Sequence, residues 1–245
     1  MSNFNNVFGL PFSNISLDEL GIGVLTGSYS GRIIVTPNVD HIVRFYKDIS
    51  FQNIYLKSDV FVNDSRILQK LSSFGLDKIE SLVPGSDLTA WLFNNAPAGT
   101  RITVIGSSVE TASIIKEKYP LVNLQHYNPP MGFINDKREI EKCLSFCEVN
   151  DADIYFFAVG SPRQEILASK LKEIGSSGAF LCVGASLLFL SGEEVRAPKW
   201  VQLIHMEWFF RLIQDPKRLY RRYLIEGPAI FLIYVRELIK QHGLK

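Results

Sequence analysis

Short apolar runs alternate with amphipathic stretches along most of this 245-residue chain. Residues 154–159 form one such run, and its length and aromatic content are typical of a strand buried on both faces. Comparable strand-like runs lie at residues 7–10, 31–35, 54–56, 60–62, 101–105, 121–125 and 179–183. Helices are predicted at residues 17–25, 39–48, 66–73, 88–94, 137–147 and 164–174. The alternation predicts an α/β fold, with a doubly wound, mostly parallel sheet and helices on both faces.

A small polar turn follows the run at residues 154–159 and leads into a helix. Gly160 permits a sharp turn, and Pro162 suits a first helical position because it has no amide hydrogen that needs a partner. In open α/β sheets, ligands bind outside the carboxyl ends of the strands, so Arg163 and Gln164 are expected near a ligand. An ordinary connection between a strand and a helix would have the same spacing.

Polar residues also stand at other predicted corners of the sheet. Thr36 and Asn38 follow one strand, Asp64 follows another, and Asp87 lies in a tight turn before a helix. A carboxylate at a strand end can act as a general base when a substrate hydroxyl approaches it. Helix capping is the commoner role for Asn or Asp at such a corner, and spacing alone leaves both interpretations open.

The overall composition is that of a globular protein, with 47% hydrophobic and 21% charged residues and a formal net charge of +1. The 3 cysteines are too few for a disulfide framework and are expected to be core thiols. Neither a signal peptide nor an apolar run of membrane-spanning length is evident. The turn at residues 106–108 could hold a phosphate, but it lacks the GxGxxG spacing of a dinucleotide site.

The C-terminal part of the chain is basic and aromatic. The basic residues between positions 196 and 223 are Arg196, Lys199, Arg211, Lys217, Arg218, Arg221 and Arg222, against only two acids. Basic and aromatic residues together suit an anionic membrane surface or a nucleic acid, and a solvated basic helix face is the simplest alternative. Asp215 followed by Pro216 predicts the start of a new helix in this segment.

Several motifs follow one another in a characteristic order. They are TPNVD at 36–40, VND at 62–64, GSDL at 85–88, VGSPRQE at 159–165, VGAS at 183–186, and GEEVRAPKW, EWFFRL and DPKRLYRRY between 192 and 223. Together they resemble the WecG/TagA/CpsF glycosyltransferases over residues 7–223. The resemblance implies a Rossmann-like catalytic core at residues 1–195 and a helical appendage at residues 196–245.

The family resemblance also implies a reaction. Members transfer a sugar, with inversion, from a UDP-sugar to an undecaprenyl-diphosphate-linked sugar at the cytoplasmic face of the membrane, in surface polysaccharide synthesis. N-acetylmannosamine is the favoured sugar here, and glucose or a uronic acid are the alternatives. The expected partners are therefore the two substrates and an anionic membrane surface, and association between copies of the chain stays open. A nucleic-acid-binding function would explain only the basic segment, so no nucleic-acid partner is expected.

Site residues are carried over by their positions in the motifs. Asp64 resembles the family's general base, and Thr36, Asn38 and Gln164 resemble polar residues of its pocket. The other expected substrate-binding residues are Asp87, Gly160, Arg163, Gly184, Arg211, Arg218, Arg221 and Arg222. The arginines are expected to stabilise the departing diphosphate without a metal ion, so neither a metal nor another cofactor is expected.

Overall fold

A computed structural model describes residues 4–198, 200–201, 204 and 206–243 and contains one 8-stranded sheet. The strands are β1 Phe4–Val7, β2 Leu10–Ser13, β3 Ile33–Val35, β4 Val60–Phe61, β5 Arg101–Gly106, β6 Asn123–Tyr127, β7 Ile154–Ala158 and β8 Ala179–Cys182. Their order across the sheet is β1-β2-β4-β3-β8-β7-β5-β6. Strands β1 and β2 pair antiparallel, and all the other pairs are parallel. The prediction of a mostly parallel α/β sheet is confirmed.

Helices connect the strands and cover both faces of the sheet. They are α1 Leu17–Leu25, α2 Val39–Lys47, α3 Ile49–Tyr55, α4 Arg66–Ser72, α5 Gly85–Asn95, α6 Val109–Lys118, α7 Lys137–Val149, α8 Arg163–Glu173, α9 Ser186–Ser191, α10 Glu207–Gln214, α11 Pro216–Tyr220 and α12 Ala229–His242. A 3₁₀ turn lies at Phe133–Asn135, and a π-helical turn at Arg221–Glu226 joins α11 to the segment before α12. Helix α1 begins where predicted because Ser16 and Glu19 form a capping box.

The central strands are buried on both faces, as the apolar run at residues 154–159 predicted. Alternate residues of β7 point to opposite sides of the sheet. Ile154 and Phe156 pack in one hydrophobic cluster, whereas Tyr155 and Phe157 pack in the other. This double burial leaves the carboxyl ends of the strands as the polar edge of the sheet.

Two of the predicted strands are wrong. Residues 54–56 lie at the end of helix α3, whose N-terminus is capped by Asp48 and whose Phe51 and Tyr55 are buried one turn apart. Residues 7–10 form a tight hairpin between β1 and β2, with Phe8 and Gly9 both at positive φ. Both runs are so short that periodicity alone does not distinguish a strand from a turn of helix or a hairpin.

The C-terminal helices pack back onto the sheet domain. Ile230 and Ile233 of α12 join the larger hydrophobic cluster, and Tyr234 donates a hydrogen bond to the carbonyl of Phe74. Asp215 caps α11 by accepting from the amide of Arg218 at 3.2 Å, which confirms the predicted helix start.

Lys199, one of the basic residues of this segment, lies outside the described residues. The division into a core and an appendage at residue 195 stays a prediction. Within the described part of the chain, none of the helices has the length and apolar character needed to cross a bilayer.

Candidate active site

The main cavity lies at the carboxyl ends of four neighbouring strands. It has a volume of about 690 Å³, and its wall includes Thr36 after β3, Asp64 after β4, Gly160 after β7 and Gly184 after β8. Parallel strands end at the same edge of a sheet, so residues far apart in the sequence meet here. Of the predicted site residues, the cavity wall brings together Thr36, Asn38, Asp64, Gly160, Gln164, Gly184, Arg211, Arg218 and Arg222.

Asp64 is held in place at the end of β4 without capping the helix that follows. Ser65 caps α4 instead, accepting from the amide of Leu68 at 3.3 Å. One carboxylate oxygen of Asp64 accepts from the amide of Gly85, the first residue of α5, at 3.3 Å. Burial raises the pKa of Asp64 to about 6, although Arg211 and the Gly85 amide act in the opposite direction. The carboxylate is therefore largely ionised at neutral pH, yet basic enough to accept a proton.

Asn38 both caps α2 and contacts the C-terminal segment. Its side-chain oxygen accepts from the amides of Asp40 and His41 at 3.1 and 3.4 Å. The same oxygen also accepts from a guanidinium nitrogen of Arg222 at 3.2 Å. The capping and site interpretations of Asn38 are thus compatible, because the same oxygen accepts from the helix amides and from the guanidinium group.

Gln164 is buried in the floor of the cavity with its amide oriented by two hydrogen bonds. Its oxygen accepts from the amide of Gly184 at 3.1 Å, and its nitrogen donates to Glu165 at 2.8 Å. Gln164 and Glu165 are only 3% and 1% exposed, and burial raises the pKa of Glu165. The amide nitrogen of Gln164 carries a second hydrogen, which neither of these two bonds uses.

The arginines of the C-terminal segment point in different directions. Arg211 lies over the ring of Phe189, with 4.8 Å from its guanidinium carbon to the ring centroid. Arg218 pairs with Asp215 at 2.6 Å and lies 3.4 Å from Glu194 on the cavity wall. These two arginines and Arg222 supply positive charge to the cavity.

Three predicted site residues do not line this cavity. Arg221 pairs with Glu226 at 3.0 Å, and its side chain is 74% exposed. Asp87 lies in the first turn of α5 and forms an ion pair with Arg196, so its side chain does not cap the helix. Arg163 begins α8 just beyond the Gly160 turn.

An ion-pair network on the cavity wall was not predicted. Asp40 pairs with Arg44 at 2.9 Å and lies 3.7 Å from a guanidinium nitrogen of Arg222. Although burial opposes the effect, Arg222 and Arg44 hold the pKa of Asp40 below its ordinary value. Asp40 and Arg44 are four residues apart on a predicted helix, and this spacing was the available sequence signal.

A second cavity of about 390 Å³ adjoins the first. Asn38, Asp64, Arg211, Arg222 and Tyr223 belong to the walls of both cavities. The remaining wall of the second cavity comes mainly from α4, α10 and α12 and is largely apolar.

Candidate metal ligands are scarce in the described part of the chain. No group of three or more His, Cys, Asp or Glu side chains there is arranged to hold a metal ion. An Asp-x-Asp sequence does occur at Asp151 and Asp153, but it precedes β7, and both carboxylates bind Arg101, at 3.0 and 2.7 Å. The cysteines are free and buried, as predicted, and burial raises the pKa of Cys143 to about 11.

The chain is similar to known proteins over most of its length. Residues 5–243 match the model of the family described as "Glycosyl transferase WecG/TagA/CpsF family". A Bacillus subtilis (strain 168) protein is 24% identical over 236 residues, which are 93% of this chain and 90% of the relative. A Bacillus spizizenii (strain ATCC 23059 / NRRL B-14472 / W23) protein is 25% identical over 199 residues, 79% of this chain and 75% of the relative. Both relatives are named N-acetylglucosaminyldiphosphoundecaprenol N-acetyl-beta-D-mannosaminyltransferase. The chain therefore belongs to the WecG/TagA/CpsF family of glycosyltransferases.

Proposed function

We propose that this protein transfers N-acetylmannosamine from a UDP-sugar to a sugar carried on undecaprenyl diphosphate, with inversion at the anomeric carbon. The names of the two Bacillus relatives support this acceptor and this sugar. The observation that carries the mechanism is the position of Asp64 beside Arg211, where the two cavities meet.

Asp64 acts as the general base. The hydroxyl oxygen of the acceptor sugar bonds to the anomeric carbon of the donor while its proton passes to the Asp64 carboxylate. The bond between the anomeric carbon and the UDP oxygen breaks, and its electron pair leaves with UDP. A pKa of about 6 supports this role, because an ordinary aspartate is a weaker base.

The larger cavity binds the UDP-sugar. Its volume of about 690 Å³ and its polar wall suit a nucleotide sugar. Arg211, Arg218 and Arg222 stabilise the charge that develops on the diphosphate as it leaves. Binding roles for Asp87, Arg163 and Arg221 stay predictions.

The C-terminal helices hold the protein on the cytoplasmic face of the membrane as a peripheral protein. Helix α12 exposes Phe231, Leu232 and Val235 at 57%, 76% and 50% of their surfaces. The exposed basic side chain of Arg221 and the half-exposed ring of Tyr220 lie on the preceding elements. Exposed apolar residues near basic ones suit an anionic lipid surface.

Transfer is tested with the purified protein, a panel of UDP-sugars and a lipid-diphosphate-linked N-acetylglucosamine acceptor. UDP release and the mass of the glycolipid product are measured. We expect release with UDP-N-acetylmannosamine that depends on the acceptor. A product formed only from another UDP-sugar would overturn the sugar assignment, and acceptor-independent release would overturn transfer itself.

Membrane contact is tested by sedimentation with anionic vesicles. The double variant Leu232→Asp and Val235→Asp is expected to sediment less than the parent protein, and added salt is expected to weaken the binding of both. The control variant is Leu121→Asp, which changes a residue that is 69% exposed near strand β6. Equal sedimentation of all three proteins would contradict a membrane contact through α12.

A further inference from the structure

The second cavity has a different chemical character from the first. Apolar side chains from α4, the π-helical turn and α12 line it, including Ile67, Leu224 and Phe231. Leu224 and Phe231 are also 54% and 57% exposed to the outside. The apolar wall of this cavity is therefore continuous with the exposed apolar surface of the C-terminal helices.

Two cations in this cavity form no salt bridge with any described carboxylate. Arg66, at the start of α4, forms no ion pair there, and its Nε is buried without a hydrogen-bond acceptor. Arg211 stacks on Phe189 and likewise forms no salt bridge in the described part of the chain, although its charge acts on Asp64. A buried donor without an acceptor costs free energy, so this arrangement favours an anion close to Arg66.

Asp64 lies on the walls of both cavities. If UDP and its sugar occupy the larger cavity, the attacking hydroxyl must reach the anomeric carbon from the side opposite UDP, as inversion requires. The second cavity has Asp64 on its own wall, together with apolar residues that the first cavity lacks. An acceptor in the second cavity would thus bring its hydroxyl to the base from the correct side.

We infer that the second cavity binds the lipid-linked acceptor, with Arg66 contacting its diphosphate and the apolar wall holding the first isoprene units. This inference rests on the proposed function, because it presumes an acceptor that carries a diphosphate and a polyprenyl chain. The cavity, at about 390 Å³, holds only the sugar end and the start of the chain, and the rest stays in the bilayer. Guanidinium groups suit this role because they bind phosphate oxygens through two parallel hydrogen bonds.

The test is steady-state kinetics of Arg66→Gln with donor and acceptor varied separately. Loss of one charge-assisted contact to the diphosphate is expected to raise the acceptor KM about tenfold or more. The donor KM, the affinity for UDP and sedimentation with vesicles are expected to stay unchanged. Lys70→Gln is the matched control, since Lys70 is an exposed cation one turn along the same helix and lies on neither cavity wall.

Two further variants are included. One distinguishes loss of the guanidinium group from misfolding, and the other tests the contact with the polyprenyl chain. Arg66→Lys keeps the charge without the planar fork and is expected to give an intermediate acceptor KM. Ile67→Gln is expected to reduce the preference for a long polyprenyl chain over a short alkyl chain on the same sugar diphosphate. Thermal melting curves of all variants establish that each is folded.

The outcomes separate this inference from the proposed function. If the parent protein transfers no sugar to any lipid-diphosphate acceptor, the proposed function fails before the variants are compared. If the parent protein is active and folded Arg66→Gln and Arg66→Lys keep its acceptor KM, the assignment of Arg66 is wrong. A rise in donor KM equal to the rise in acceptor KM, or weaker vesicle binding by Arg66→Gln, would also overturn it. An undiminished chain-length preference in Ile67→Gln would remove the isoprene contact.

Discussion

Replacing Asp64 with Asn is expected to abolish sugar transfer and to stabilise the fold at the same time. Asn has nearly the same shape and can still accept from the Gly85 amide, but it cannot take the hydroxyl proton. Burial raises the pKa of Asp64 from 3.8 to about 6, so the folded protein disfavours the charged form. Removing the charge therefore relieves a cost that exists only when the carboxylate is ionised.

The size and sign of this stabilisation follow from the pKa shift. The difference between a pKa of 3.8 and one of about 6 corresponds to about 3 kcal/mol, and exposure to the cavity reduces this to about 1–3 kcal/mol. Well below pH 3.8, Asp64 is protonated in the folded and unfolded chains, and the cost is absent. The cost grows between pH 3.8 and about 6, where the unfolded chain releases the proton that the folded chain still holds, and it is complete once the pH has risen above 6.

The assay is chemical denaturation of the parent protein and Asp64→Asn at pH 4, 6 and 8. The variant is expected to gain stability at pH 8 and to show little difference at pH 4. Asp59→Asn is the control, because its stability is expected to change in the opposite direction. Although burial opposes the effect, the Ile33 amide and Lys172 hold the pKa of Asp59 below its ordinary value, so this variant is expected to lose stability at pH 8 while remaining active.

Two results would refute the reasoning about Asp64. Near-parental turnover by a folded Asp64→Asn would show that Asp64 is not the base. A loss of stability at pH 8 in the variant would show that the folded protein does not destabilise the ionised carboxylate of Asp64.

Two more predictions concern the metal and the packing of the first helix. EDTA is expected to leave the rate of transfer unchanged, because Arg211, Arg218 and Arg222 neutralise the departing diphosphate; loss of activity that magnesium or manganese restores would contradict this. Gly21→Ala is expected to destabilise the protein by about 1–3 kcal/mol, since a Cβ there would lie 2.2 Å from the ring of Trp91. Alanine favours an isolated helix by about 1 kcal/mol, so a melting temperature that rises instead would mean that the Trp91 ring moves aside freely.

The sequence by itself determined much of the architecture, because the signals for strands, turns and helix starts are local. The helix at residues 17–25, which begins at the Ser16 capping box, and the Asp215–Pro216 helix start both lie where they were predicted, because each start is set within one helical turn. The motif positions also placed Asp64 and Gln164 at the carboxyl edge of the sheet, where both line the cavity, since parallel strands end at one edge. Residues 54–56 failed as a strand because Asp48 caps a helix that buries Phe51 and Tyr55, and so short a run carries no distinguishing period.

Only the tertiary structure decided which charged side chains face the cavities. Arg221 and Arg222 are adjacent in the sequence, but they lie on a π-helical turn that directs one towards Glu226 and the other towards Asn38. Asp87 resembled Asp64 as a motif carboxylate, yet it pairs with Arg196. The second cavity exists because α4, α10 and α12 meet beside Asp64. These contacts depend on how segments far apart in the chain pack against each other. A local pattern of residues does not contain that information.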